Sequence, residues 1–446
     1  MDQQTKLQTI QFHRKLGLRP SSNISFIQEQ APSSPKLDER HDFTGKLRQS
    51  SILPKIIAYI DWQKAVRTAL SKGQISPEMP VGLGPTSLNL DATTACNDNC
   101  GHCVDLDILN SGMKFRHEKM LQSLGFMIEQ GLRSVILIGG GEPTLYPGFV
   151  DTVRFLKERN IKVAVVSNGS RNKKIAEVAH LFTRGDWVRL SLDSAKNHTF
   201  QLMHRPKQPM TLEERCSSVA LIKSRNSTLD IGFSFVITWQ GAEQRNKKEE
   251  IVGIVPNIDE MVMAAHLARN SGFSYIAYKP FLTRYENGTE VMDSGSMESF
   301  KNTLVRIRSA IEEAKELQME GFRVIESINL RLLEQETWRN FTNQPTTCHM
   351  QAIRQVLSPL GLYNCPAYRG VAKARIAGAD AYETSENVTK TQRATASILR
   401  SFNANNECAE ITCLYNHVNW WLEKAVRGEI PLEELEATVD REDYFL

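Results

Sequence analysis

Ser87-Leu88-Asn89-Leu90-Asp91 is followed, five residues on, by Cys96-Asn97-Asp98-Asn99-Cys100-Gly101-His102-Cys103. The first stretch reads as a short strand, and the second crowds three thiols into the loop that leaves it. From this strand onward the chain alternates regularly. Further strands are predicted at 134–138, 162–167, 187–192, 231–238 and 275–279, several of them short apolar runs of the kind covered on both faces of a parallel sheet. Helical patterns fall between them at about 115–129, 149–158, 173–182, 212–223 and 258–270. Gly131, Gly185 and Gly272 follow such helices, where a left-handed residue is favoured. Strand–helix alternation means a parallel α/β sheet or barrel, and six units are two short of a complete eight-unit barrel. The fold expected is an α/β, partial (β/α)6 TIM-like barrel.

The flanks differ in character. Residues 1–80 read as an N-terminal extension, irregular at first with a short helix near 12–16, then helical over 52–70. The barrel and a charged linking helix fill 81–340, with a further strand at 322–325. Residues 341–446 read as a separate α+β domain, in which 353–358 and 362–365 flank Pro359-Leu360-Gly361 as a hairpin and a helix spans about 414–426. With 41% hydrophobic and 24% charged residues the chain is neither disordered nor a membrane protein. Lys plus Arg (54) barely exceed Asp plus Glu (51), so no nucleic-acid partner is expected. The first 21 residues lack the apolar run of a signal peptide, and the chain is expected to be cytoplasmic.

Eight cysteines in a reducing compartment argue for metal rather than disulfides. Iron–sulfur cubanes normally take four thiolates, so Cys96, Cys100 and Cys103 can hold one cubane and leave one iron without a protein ligand. An open metal position suits a reactive site, and loops after barrel strands lie where active sites collect. Zinc or plain buried thiols are the alternatives that the spacing leaves open.

C-x3-C-x2-C after the first strand resembles the signature of the radical S-adenosylmethionine (SAM) superfamily, and the resemblance covers about residues 87–285. His102 stands where that family usually has an aromatic residue. The resemblance implies that Gly140, Gly141 and Glu142 of Gly139-Gly140-Gly141-Glu142-Pro143 contact the SAM amino group. A dinucleotide fingerprint fails there, because Thr144 replaces its third glycine. It further implies cofactor contacts from Asn168, Ser191, Asp193 and Arg205. The fifth strand lacks the family's asparagine near its end, where Thr238 or Gln240 could substitute. The implied chemistry is reductive cleavage of SAM on a [4Fe–4S] cluster, giving a 5′-deoxyadenosyl radical that abstracts hydrogen, with flavodoxin or ferredoxin as reductant.

Cys348, Cys365, Cys408 and Cys413 resemble the SPASM/twitch tail of such enzymes, which in its truncated form holds one auxiliary [4Fe–4S] cluster. Were the metal zinc, His349 and His417 would be spare ligands. Cys216 reads as a buried helix thiol, and Trp420 and Trp421 as packing for the last helix. The reaction expected is oxidation of a small molecule, sugar-like or aminocyclitol-like. Peptide modification is the alternative, and a non-enzymatic metal-binding or electron-transfer role comes third. Tyr278 and Lys279 close the sixth strand as candidate catalytic groups, and strand alternation turns only one of them inward.

Overall fold

The strands foreseen from the alternation all form. They are β1 (Ser87–Leu90), β2 (Ser134–Leu137), β3 (Lys162–Ser167), β4 (Trp187–Ser191), β5 (Asp230–Ile237), β6 (Tyr275–Pro280) and β7 (Arg323–Glu326), followed by β8 (Arg354–Ser358), β9 (Gly361–Tyr363) and β10 (Arg375–Ala377). The computed structural model describes residues 41–245, 251–284, 290–291 and 297–446; the helix expected near 12–16 lies outside them. The sheet order is β7-β6-β5-β4-β3-β2-β1-β8-β9-β10, parallel from β7 through β8 and antiparallel beyond. Among the described residues both edges stay unpaired, so this is an unclosed, TIM-like α/β barrel.

Two strands more than the expected six join the parallel run. β7 pairs with β6, and β8 of the tail pairs in register with β1, Ser87 opposite Arg354. The sheet therefore runs on past the boundary placed near 340. The helix expected over 52–70 forms, and it is packed against the tail. The helix Leu53–Ser71 packs on the helix Asn416–Arg427, and Ile56, Ile60 and Val66 share a core with Val418, Leu422 and Ala425. Arg67 donates to both Glu423 oxygens across that seam, at 2.9 and 2.7 Å.

Alternation along the strands separates two apolar faces. Leu88, Leu90, Val135, Leu137, Val163 and Val165 face outward onto helix residues such as Met120, Leu124 and Val153. Ile136 and Ala164 face the barrel interior, where they meet Phe445. The last residues thus fill the lower end of the barrel. Ser134 Oγ donates to Tyr444 O at 2.7 Å, Leu446 N donates to Ser87 Oγ at 3.2 Å, and the Phe445 ring meets Trp187 edge-on. Gly232 is needed here, because a Cβ would lie 2.1 Å from the Tyr275 ring.

Candidate active site: two cysteine centres and a barrel cavity

The loop carrying Cys96, Cys100 and Cys103 is held from several sides. Cys96 N donates to Asn110 Oδ1, Asn99 N to His204 O, and Lys207 Nζ to Cys96 O. Asp98 takes both nitrogens of the buried Arg215 guanidinium at 2.7 and 2.9 Å, and Arg215 Nη1 also reaches Asn168 O. His204 Nδ1 stands 3.3 Å from Cys100 Sγ. Burial pushes the Cys96 thiol up to about 11 and Cys103 to about 12. Such thiols stay protonated at neutral pH unless a metal centre supplies positive charge.

Among the described residues, the sets of three potential ligand atoms lying within 4.8 Å of one another are Asp98/Cys100/His204 and His102/Asp193/His204. Hydrogen bonds already account for their closeness. Neither cysteine group is drawn that tight. Thiolates on one tetrahedral zinc stand only about 3.8 Å apart, given Zn–S bonds of ~2.3 Å, so neither cysteine group is drawn together as a closed zinc site.

The glycine loop after β2 presses onto the cysteine loop. Gly140 adopts φ +89° and its N donates to Asp105 Oδ2. A Cβ on Gly141 would lie 2.4 Å from Ala95 O and 2.6 Å from Thr93 O. Glu142 is buried, which raises its pKa, yet Thr144 N, Thr144 Oγ1, Ser167 Oγ and Asn168 N all donate to its carboxylate. Asn168 Nδ2 in turn reaches Asn97 Oδ1 at 2.9 Å. Gly140, Gly141, Glu142 and Asn168 thus converge on the cysteine loop. Ser191, half-buried, ends β4 opposite Ser234.

Several expected contacts turn elsewhere. Asp193 adopts φ +53°; Oδ1 accepts from Val236 N, while Oδ2 meets His102 Nε2 at 3.1 Å and His204 Nε2 at 3.3 Å. Burial alone would raise its carboxyl, but the two imidazoles hold it well below the usual carboxylate range. The Asp193 side chain therefore positions His102 instead of reaching for a ribose. Arg205 is exposed in a left-handed C-cap, its Nε on Leu202 O, and does not point into the site. Gln240 is exposed, and Thr238 Oγ1 donates to Val255 O. Asn257, outside any expected motif and twenty residues past β5, reaches back to that strand's end instead, its Nδ2 donating to Asp193 O and Val236 O.

Cys348, Cys365, Cys408 and Cys413 surround a second, small cavity of about 40 Å³ with Tyr368, Phe402 and Tyr415. Burial, then the neighbouring Cys365, pushes Cys348 up to about 12. His349 turns away, with Nδ1 on Tyr59 OH and Nε2 on Glu423 Oε2, so it is no spare ligand. His417 packs on Phe341 outside that cavity. Arg369, four residues after Cys365, joins the centres: Nε pairs with Asp91 at 2.7 Å and Nη1 with both Asp105 oxygens at 3.0 Å. Cys216 is buried in the core, and Trp420 is anchored by its Nε1 on Asn343 O.

A cavity of about 720 Å³ fills the barrel, from His102 and Val104 down to Phe445 and Leu446. Lys279, Arg189 and Arg354 line it, with Trp187, Ile136, Ile138, Val236 and Phe281. Lys279 faces inward. Tyr278 does not, and its hydroxyl donates to Met261 O behind the sheet, which removes it as a candidate catalytic group.

Residues 91–238 match the family model of the radical SAM superfamily, and the unclosed parallel barrel with three thiols after β1 and a glycine loop over them agrees with that match. Members of that family carry a [4Fe–4S] cluster and SAM, and Cys96, Cys100 and Cys103, three thiols on one loop with no disulfide, are a donor set that fits the cluster. The chain is 38% identical over 111 residues to an S-adenosylmethionine-dependent nucleotide dehydratase of Thermoplasmatales archaeon (strain ISO4-H5), covering 24% of this chain and 38% of that protein. A protein of the same description from Selenomonas ruminantium is 26% identical over 163 residues, covering 35% and 58%. The chain thus spans between 38% and 58% of these curated relatives' lengths. Among solved structures, Streptococcus suis SuiB matches with TM-score 0.53 at 12% identity over 92% of each chain. SuiB bound to S-adenosylmethionine matches with TM-score 0.51 at 13% identity, over 72% of this chain and 68% of that one. At these identities the likeness is one of fold. Among the described residues no helix is long and apolar enough to cross a membrane.

Proposed function

We propose that this chain is a radical SAM enzyme with an auxiliary [4Fe–4S] cluster in a twitch-like tail, and that it oxidises a small molecule held in the barrel cavity. Cys96, Cys100 and Cys103 would hold the first cluster, and Cys348, Cys365, Cys408 and Cys413 the second. When bound, the first cluster and SAM supply an electron and a 5′-deoxyadenosyl radical that takes a hydrogen atom, and the second cluster supplies an acceptor for the electron that an oxidised substrate gives up. The chain's own residues do the positioning. Gly140, Gly141 and Glu142 offer close backbone approach and a carboxylate to an ammonium. His102, fixed by Asp193, forms the roof of the cavity.

The observation that carries the oxidative reading is a second set of four thiols around their own small cavity, which shares Arg354 and Tyr415 with the barrel cavity and is linked to the first loop through Arg369. The relatives' description favours a second reading, redox-neutral dehydration of a nucleotide. A peptide substrate has behind it the fold likeness to SuiB, one structure of which holds its precursor peptide, and that likeness carries architecture alone. A flavodoxin or ferredoxin is the proposed reductant.

Anaerobic reconstitution tests the proposal. About eight irons per chain are expected for two cubanes, with 5′-deoxyadenosine released from SAM and dithionite. Two-electron oxidation of a deuterated substrate, with label carried into 5′-deoxyadenosine, supports the first reading. Loss of water without net oxidation supports the second.

A further inference from the structure

We infer that the surface around the first cysteine loop is the docking face for a small acidic electron-carrier protein, met there by a rim of six exposed cations. This rests on the reading of Cys96, Cys100 and Cys103 as ligands of a reducible cluster. One electron passes from the carrier, which is oxidised, to that cluster, which is reduced. The carrier must therefore reach the surface nearest these cysteines.

The loop comes to that surface at Asn99, which is exposed. Three segments border it. Residues 202–207 run along it, with Gly101 N donating to Met203 O, Asn99 N to His204 O and Lys207 N to Asn97 O. Residues 110–115 flank the stretch that leads into it: Phe115 N donates to Ala92 O, Thr94 N to Met113 O, and Cys96 N to Asn110 Oδ1. The turn after β3 is the third, where Asn168 Nδ2 and Ser170 Oγ both donate to Asn97 Oδ1.

These segments and the residues just beyond them carry Lys114, Arg116, Arg171, Lys173, Arg205 and Lys207, all exposed. None of the six takes part in an ion pair among the described residues. Residues 108–116, 168–174 and 202–210 contain no Asp or Glu. The carboxylates closest along the chain are mostly engaged: Asp98 on Arg215, Asp105 on Arg369, Glu177 on Lys174, and Glu214 on Thr211 N. Asp107 is half-buried, and the exposed Glu118 and Glu213 leave the cations in the majority.

Leu202 and Met113, 45% and 40% exposed, add a large apolar side chain to two of the bordering segments. Apolar contact within a charged rim is the anatomy of a protein interface, where Met and Arg are over-represented. Electron-transfer encounters need little area, and complementary charge raises their association rate more than their affinity. Arg205, turned away from the cofactor site by its left-handed C-cap, belongs to this face.

Release of 5′-deoxyadenosine from SAM by the reconstituted chain tests this, driven either by dithionite, which needs no docking, or by reduced flavodoxin. The flavodoxin-driven rate should fall about tenfold as salt rises from about 0.01 M to about 1 M and the screening length shrinks from about 30 to about 3 Å. At low salt Arg205→Glu and Lys114→Glu should each lower it about tenfold, with the dithionite-driven rate within about twofold of wild type. Should one variant lose the dithionite-driven rate as well, the other carries the test, and reduced ferredoxin replaces a flavodoxin that donates no electron. The inference is overturned if neither carrier drives a wild-type chain that dithionite drives, or if the carrier-driven rate ignores salt. It is equally overturned if both variants stay within about threefold of wild type with the carrier, or lose both rates alike. A wild-type chain that releases no 5′-deoxyadenosine with dithionite instead overturns the reading of the cluster itself.

Discussion

Replacing Gly141 by alanine should disable SAM cleavage while leaving the tail intact. The added Cβ would stand 2.4 Å from Ala95 O, 2.6 Å from Thr93 O and 2.7 Å from Thr94 C. A carbon and a carbonyl oxygen ordinarily meet no closer than about 3.3 Å, so roughly 0.7–0.9 Å must be found. Every clashing atom is backbone, and no rotamer can yield. The strain of such overpacking is about 1–3 kcal/mol. The loop that must give way is the one that presents Cys96. A displacement near 1 Å at reacting groups costs on the order of a hundredfold in rate. The assay is 5′-deoxyadenosine release under dithionite, with iron counted in parallel. The expected result is a fall of about a hundredfold with the four tail-bound irons retained. Gly125→Ala is the control, since its Cβ meets nothing within 4 Å and it lies inside the helix His117–Glu129. That change should leave the rate unchanged and stabilise the helix by up to about 1 kcal/mol. A Gly141→Ala chain turning over within about threefold of wild type would refute the steric reasoning.

Other outcomes follow from the same geometry. Arg369→Met strands the buried Asp91 and Asp105 and should cost about 3–5 kcal/mol in urea unfolding; adding Asp91→Asn and Asp105→Asn should recover much of that, and no recovery would remove Arg369 as the compensating charge. Burial raises Glu423, but His349 and Arg67 outweigh it and hold the carboxyl well below its usual range. Its contribution to stability is therefore complete above about pH 4.3 and lost as pH falls through the folded value, so Glu423→Gln should flatten the stability–pH slope below about pH 4.3. Tyr278→Phe should change kcat less than about twofold, because its hydroxyl serves Met261 O behind the sheet; a hundredfold loss would place it back in the site.

The strands and the first cysteine group were legible because their signals are local, whereas the four tail cysteines, spread from 348 to 413, were grouped only by their resemblance to a known tail. Apolar runs such as Val163–Val166 and three thiols in eight residues need no partner to be recognised. What escaped depends on distant pairing. Arg354 looked like one arm of a hairpin, yet β8 extends the barrel by pairing with β1, more than 260 residues earlier. Phe445 carries no motif, but it fills the barrel floor beside Ile136 and Ala164. Asp98, His204, Arg215 and Asn257 became visible only when the helix 197–204 and the strand ends met around the cysteine loop. Alternation said that one of Tyr278 and Lys279 points inward, and the register of β6 against β5, Val236 opposite Lys279, chose the lysine. Arg205 was misplaced because it ends its helix in a left-handed conformation, which swings the side chain outward.

The account stands on Cys96, Cys100 and Cys103 sharing one cluster with an open iron. Iron content and SAM cleavage of a Cys96/Cys100/Cys103→Ala chain, reconstituted beside wild type, address that directly. The account predicts about four irons in place of about eight, with no 5′-deoxyadenosine formed. Undiminished iron together with undiminished cleavage would contradict it.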